Sequence, residues 1–110
     1  MQRKNQQRLK WLCHADRRLI DGMRVVVSIF ESEHLSFGQG TADAFEDAAW
    51  LLLWSLDLPR DRLDDFRESI VPASEWRAIS HLIRKRVDQR TPVSYLTGEA
   101  WLAEIGRAHV

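Results

Sequence analysis

Apolar residues recur at helical spacing along most of this chain. Leu9, Leu12, Leu19, Met23, Val26, Val27 and Phe30 stand mostly three or four apart. That is the period of one buried helix face. The spacing predicts a helix from about Gln7 to Glu33. The β-branched run Val25-Val26-Val27 would suit a strand, but the flanking charges and the apolar spacing favour helix. Asp21-Gly22 is the candidate break, with a poorly ordered first half and a firm second half.

His34 to Thr41 reads as a loop, because Gly38 and Gly40 permit backbone angles that other residues resist. A Gly-x-Gly pair also occurs in phosphate loops, but those follow a strand and carry more glycines. Here a helix precedes it, so the pair is read as a turn. Asp43 and Glu46 have the spacing of a capping box and open a second helix, Asp43 to Leu56. Ala44, Phe45, Ala48, Ala49, Leu52, Leu53 and Leu56 give it a wide apolar face, flanked by Trp50 and Trp54. So apolar a helix belongs at the centre of a bundle.

Pro59 ends that helix. Asp61 to Phe66 reads as a short helical turn with Leu63 and Phe66 inward, and Ile70-Val71-Pro72 as extended. Ser74 is the expected cap of a last helix from Glu75 to about Gln89. Trp76, Ile79, Leu82, Ile83 and Val87 form its buried stripe, with Arg77, Arg84, Lys85 and Asp88 toward solvent. Arg84, Lys85, Arg86 and Arg90 complement the dipole of its last turns. After Thr91-Pro92 come Val93, Tyr95 and Leu96, a turn at Thr97-Gly98 and a strand start at Ala100-Trp101-Leu102. The expected fold is all-α: a small antiparallel bundle of three to four helices with an extended C-terminal connector. The expected divisions are an N-terminal extension or helix at 1–20, a helical domain at 21–90, a connector at 91–103 and a tail at 104–110.

Composition narrows the function classes. Sixteen basic residues balance sixteen acidic ones, so no long-range attraction to nucleic acid or to an anionic membrane is expected. The longest apolar run, Ala48 to Trp54, falls far short of the roughly 20 residues of a membrane span. The single cysteine, Cys13, and the polar, basic N-terminus fit a cytoplasmic protein without a secretion signal.

Candidate chemistry is sparse. His14, His34, His81 and His109 are scattered, and Cys13-His14 supplies too few ligands for a structural zinc site. Cys13 has no base placed to activate it, since adjacent helical residues do not face each other. Asp57, Asp61, Asp64, Asp65 and Glu68 cluster around the short helix; they read either as a surface paired locally with Arg60, Arg62 and Arg67 or as a docking face for a basic protein. The basic residues of the last helix could touch RNA phosphates, but Trp76 lies on the opposite stripe, so a solvated helix end is expected and no direct nucleic-acid contact. No catalytic, cofactor-binding or metal-ligating residue is assigned.

Several short motifs nevertheless stand in a telling order. They are Phe37-Gly38-Gln39-Gly40-Thr41, Ala48 within a leucine-rich helix, Leu56-Asp57-Leu58-Pro59-Arg60-Asp61, Arg86 through Arg90, then Pro92, Tyr95-Leu96-Thr97 and Ala100-Trp101. In these the chain, from about Met23 to Ala103, resembles the N-terminal helical domain of the PrmB/PrmC/HemK family of glutamine methyltransferases. The Gly-x-Gly-Thr loop and Trp101 favour the PrmB branch, which modifies the third large-subunit ribosomal protein, over PrmC, which modifies release factors; Gly98 after Thr97 is the PrmC-like feature. The resemblance implies that a following doubly wound domain binds S-adenosylmethionine and holds the target amide with an Asn-Pro-Pro-Tyr motif. Neither that motif nor the Gly-rich cofactor loop occurs here. The implied role of the helical domain is to help seat the protein substrate.

The resemblance fails after Ala103. The string Ile105-Gly106-Arg107-Ala108-His109-Val110 matches the translation of a common sequencing-library adapter, ATC GGA AGA GCA CAC GTC. The expectation is therefore a non-native tail on a truncated chain that is inactive by itself. The rival expectation is a free-standing helical adaptor for protein or RNA.

Overall fold

The computed structural model describes residues 1–38 and 41–98. Along these run helix α1 (Arg3–Cys13), strand β1 (Arg17–Arg18), helices α2 (Leu19–Ser32), α3 (Ala44–Ser55) and α4 (Leu63–Phe66), strand β2 (Ile70–Val71), and helices α5 (Ala73–Asp88) and α6 (Val93–Leu96). Helix thus dominates, as the apolar spacing predicts. The helices α1, α2, α3 and α5 pack into one core, with α6 laid against α3 and α5.

The front of the chain differs from its sequence reading. The single helix expected over 7–33 is two helices, and the break falls at His14–Asp16, not at Asp21-Gly22. α1 packs on α2 and α5 and buries Leu9 and Leu12 completely. Gly22 lies inside α2 because the ring of Trp76 sits directly on it; an added Cβ would overlap ring carbons Cζ2, Cζ3 and Cη2. The glycine therefore permits a close approach and does not end the helix.

The break between α1 and α2 lets Arg17 and Arg18 pair antiparallel with Val71 and Ile70. Two further bonds extend this clasp, Leu19 N–H to the Ser69 carbonyl (2.9 Å) and Ile20 N–H to the Arg67 carbonyl (3.0 Å). Asp16, at the same break, accepts a 2.9 Å bond from the Ala73 N–H. It thereby satisfies a free donor at the start of α5, the job the sequence reading gives to Ser74. α5 begins at Ala73, directly after Pro72, whose fixed φ suits a helix entry.

Leu51, Leu52 and Leu53 of α3 are all inaccessible, with Ala48 and Trp50 beside them, so this helix does occupy the centre. The chain past Pro92 is not extended throughout. Val93–Leu96 make one helical turn, capped at Thr97, and Gly98 follows at φ +77°. Thr97 Oγ1 is buried and donates to the Val93 carbonyl at 3.0 Å. The strand expected at Ala100-Trp101-Leu102 and the tail at 104–110 lie outside the described residues.

Candidate functional site

The capping box at the start of α3 forms: Asp43 Oδ1 accepts from Glu46 N–H at 2.9 Å. Glu46 Oε1 in turn accepts from the Ala42 N–H at 3.2 Å, one residue earlier than in the usual box. This start presents Phe45 at the surface, 50% exposed, although the sequence reading puts it on the buried face. The reason is that α3 is apolar on more of its circumference than α2, α5 and α6 cover.

Phe45 is shared by two open grooves. One is floored by Ala49, Trp50 and Leu63 and rimmed by Glu46, Arg60 and Asp61. The Arg60 guanidinium stacks on Trp50, 3.7 Å from the ring centroid. The other runs between α2 and α3 along Ile20, Met23 and Val27, with Arg24 and Glu31 at its edges. Together they make an apolar track with charged groups of both signs beside it.

The acidic segment behind this track is partly neutralised. Arg62 pairs with Asp65, and Arg67 lies 4.0 Å from Asp64 and 3.9 Å from Glu68. Arg18 reaches across from β1 to Glu68 at 2.7 Å and to Asp21 at 3.0 Å. The Arg18 hydrogen bond holds the Asp21 carboxyl below the usual carboxylate range.

Beneath the surface lies a polar cluster that sequence reading missed. Arg86 is 3% exposed and donates to Asp47 Oδ2 through Nε at 2.8 Å. Its Nη2 donates to the Ser36 carbonyl at 2.8 Å, and its charged group lies 5.7 Å from the Phe37 ring centroid. Thr41 Oγ1 donates to the other oxygen of Asp47 at 2.9 Å. The glycine-containing loop is thus pinned at both ends by one buried ion pair, and Gly38 takes the φ of +120° that a side chain resists. Arg86 is not part of a solvated helix end. The missed signal is positional: Asp47 falls on the line of Ala44, Ala48 and Leu51, and Arg86 on the line of Ile79 and Ile83.

Glu33 is the second buried carboxylate. It accepts from the Gln2 N–H and from Asn5 Nδ2, each at 2.7 Å. Burial pushes its pKa up, but the Asn5 and Gln2 bonds outweigh burial and hold it below the usual carboxylate range. A depressed folded-state value means stability that is present above the unfolded value, about 4.3, and lost as pH falls through the folded one. Thermal melts from pH 7 to pH 3 should show this loss in the wild-type chain. Glu33→Gln should be less stable at pH 7 and should lose less on acidification; an identical acid profile would contradict the assignment.

Among the described residues, no three His, Cys, Asp or Glu side chains gather as a metal site. None of the helices there is long and apolar enough to cross a membrane. Cys13 is half-buried, its Sγ 3.5 Å from the Trp76 carbonyl. His34 closes α2 in a left-handed conformation, φ +54°.

A family model described as the PrmC N-terminal domain matches residues 37–98. A protein of Bordetella pertussis named ribosomal protein uL3 glutamine methyltransferase is 39% identical over 102 residues, 93% of this chain and 32% of its own length. Proteins of the same name from Burkholderia pseudomallei (39%, 74% of this chain, 27% of the relative) and Xanthomonas campestris pv. campestris (38%, 77% and 28%) are also similar. The chain therefore spans about a third of the length of these relatives. No solved structure matches it.

Proposed function

The chain belongs to the PrmC N-terminal domain family, and from that membership we propose that it is the front helical domain of an S-adenosylmethionine-dependent N5-glutamine methyltransferase of the cytoplasm, with ribosomal protein uL3 as acceptor. The observation that carries this reading is 39% identity over 93% of the chain with a protein named for that reaction. In the whole protein the cofactor supplies an activated methyl group on a sulfonium centre. The acceptor amide nitrogen is a poor nucleophile, so its orientation toward that methyl decides the rate.

The residues described here do not fit the cofactor. The groove between α1 and α5 is lined by Lys10, Arg77 and Arg84, which repel a sulfonium, and the grooves at Phe45 are open and largely apolar. No chemical step is therefore assigned to them. Their proposed part is to seat the acceptor. The apolar track through Phe45, Ala49 and Leu63, with Glu46 and Asp61 at its rim beside the Arg60 that stacks on Trp50, suits a segment that alternates apolar and basic residues. Ribosomal proteins are rich in such segments because they bind RNA phosphates.

The test is a chimera. Residues 1–103 replace the corresponding third of the Bordetella pertussis relative, and transfer of labelled methyl groups is measured with uL3 and with a release factor as acceptors. The expected result is label in uL3 within about tenfold of the unaltered relative, a loss of no more than about 1.4 kcal/mol, and none in the release factor. A chimera that melts cooperatively yet labels neither protein, or only the release factor, contradicts the reading. The 110-residue chain alone is expected to transfer no methyl group.

A further inference from the structure

The even charge balance of the sequence conceals a segregation in space. α1 and α5 meet along a groove whose lining includes Lys10, His14, Arg77, His81 and Arg84. Every charged or titratable nitrogen side chain in that lining is a cation or a histidine, and no carboxylate takes part. Lys10, His14, Arg77, His81 and Arg84 are all exposed. Among the described residues none of the five forms an ion pair, whereas Arg62 and Arg67 on the opposite segment are both matched to carboxylates. The carboxylates of α5 stand outside the groove: Asp88 is bound by the Met1 amine at 2.7 Å, and Glu75 is not in the lining.

We infer that this α1–α5 groove binds the phosphate backbone of single-stranded RNA. Lys10 lies in the last turn of α1 and His14, four residues on, is its C-cap; Arg77, His81 and Arg84 are four and three apart on α5. A rise of about 1.5 Å per residue places a nitrogen donor roughly every 4.5–6 Å along each rim. That ladder suits a flexible polyanion better than a lone small anion. Beside it, Trp11 is 49% exposed, next in sequence to Lys10 and one helical turn before His14. The Arg17 guanidinium covers one face of its ring at 3.4 Å from the centroid and is itself fixed by two bonds to the Trp11 carbonyl. An exposed aromatic ring fixed by a stacked guanidinium, on the helix that forms one side of the cationic groove, is what a base stacks on. The inference stands on this groove alone and does not depend on the methyltransferase reading.

The experiment titrates the 110-residue chain into a fluorescein-labelled 12-nucleotide RNA of mixed sequence and reads anisotropy. With three to five phosphates neutralised, affinity is expected to fall about a hundredfold or more between 20 and 200 mM KCl. The triple variant Lys10→Glu/Arg77→Glu/Arg84→Glu should lose at least about thirtyfold at low salt. The neutral set Lys10→Gln/Arg77→Gln/Arg84→Gln serves if the reversed one unfolds. Arg62→Gln/Arg67→Gln should bind like wild type, and Trp11→Ala should weaken binding without changing the salt slope. Three results would overturn the proposal: no binding at 20 mM KCl, binding that the neutral set leaves unchanged, or polyglutamate or inorganic phosphate displacing the RNA as effectively as unlabelled RNA does.

Discussion

Asp47→Ala is expected to remove about 3–5 kcal/mol, the usual loss when one partner of a buried ion pair is deleted. Arg86 would be left 3% exposed without its carboxylate, and the Thr41 hydroxyl would lose its acceptor. A domain of this size holds only about 5–15 kcal/mol in total, so about a fifth of its stability or more is at stake. The transition should fall by roughly 15–30 °C. The damage should also reach function, because Thr41 and Asp43 fix the start of α3, which carries Phe45. Asp47→Leu with Arg86→Met should recover most of the loss, since a packed apolar pair can replace a buried ionic one. A urea titration of the wild-type chain and the two variants checks this. An Asp47→Ala midpoint close to wild type would mean that water already solvates the pair.

Gly22→Ala is the second large effect, and its sign is diagnostic. In an ordinary helix interior this change stabilises by about 0.8–1 kcal/mol. Here the new Cβ meets the Trp76 ring at three carbons. Trp76 is inaccessible, so the ring has nowhere to retreat. The expected net result is a loss of about 1–3 kcal/mol. All three overlapping atoms belong to the outer ring, which phenylalanine lacks. Trp76 Nε1 is buried and has no hydrogen-bond partner among the described residues, so Trp76→Phe sacrifices packing but no bond. The pair Gly22→Ala/Trp76→Phe should therefore be more stable than the sum of its single changes by at least about 1 kcal/mol in a double-mutant cycle. Additive losses would show that the two residues do not touch.

The same two sites mark what the sequence conveys and what it hides. Helical spacing locates the core residues Met23, Val26, Phe30, Ile79, Ile83 and Val87, because a face buried against neighbours must repeat with the helix. The Asp43–Glu46 cap is equally plain, being a contact between residues three apart. Contacts across the chain leave no such imprint. Gly22 looks like a helix breaker until Trp76, 54 positions away, is placed on it. Asp16 caps α5 from 57 residues upstream, so a local search settles on Ser74. Arg86 resembles its exposed neighbours Arg84 and Lys85 because periodicity alone does not say which charge finds a buried partner. The grooves follow the same rule. Phe45 fits the apolar pattern of α3, and only the way α2, α5 and α6 pack on that helix leaves it uncovered. The cations of α1 and α5 cancel in a net charge of zero and become a lined groove only when the helices meet.

The central functional claim is that the Phe45 track seats the acceptor protein. Its most direct test is the affinity of purified uL3 for the 110-residue chain, measured by calorimetry in 150 mM salt beside Phe45→Ser and Trp54→Ser. Both residues are exposed, so neither change should unfold the bundle. Wild type and Trp54→Ser are expected to bind alike and Phe45→Ser at least about tenfold more weakly, a difference of about 1.4 kcal/mol. Equal affinity for all three chains, or no binding by any, would contradict that claim.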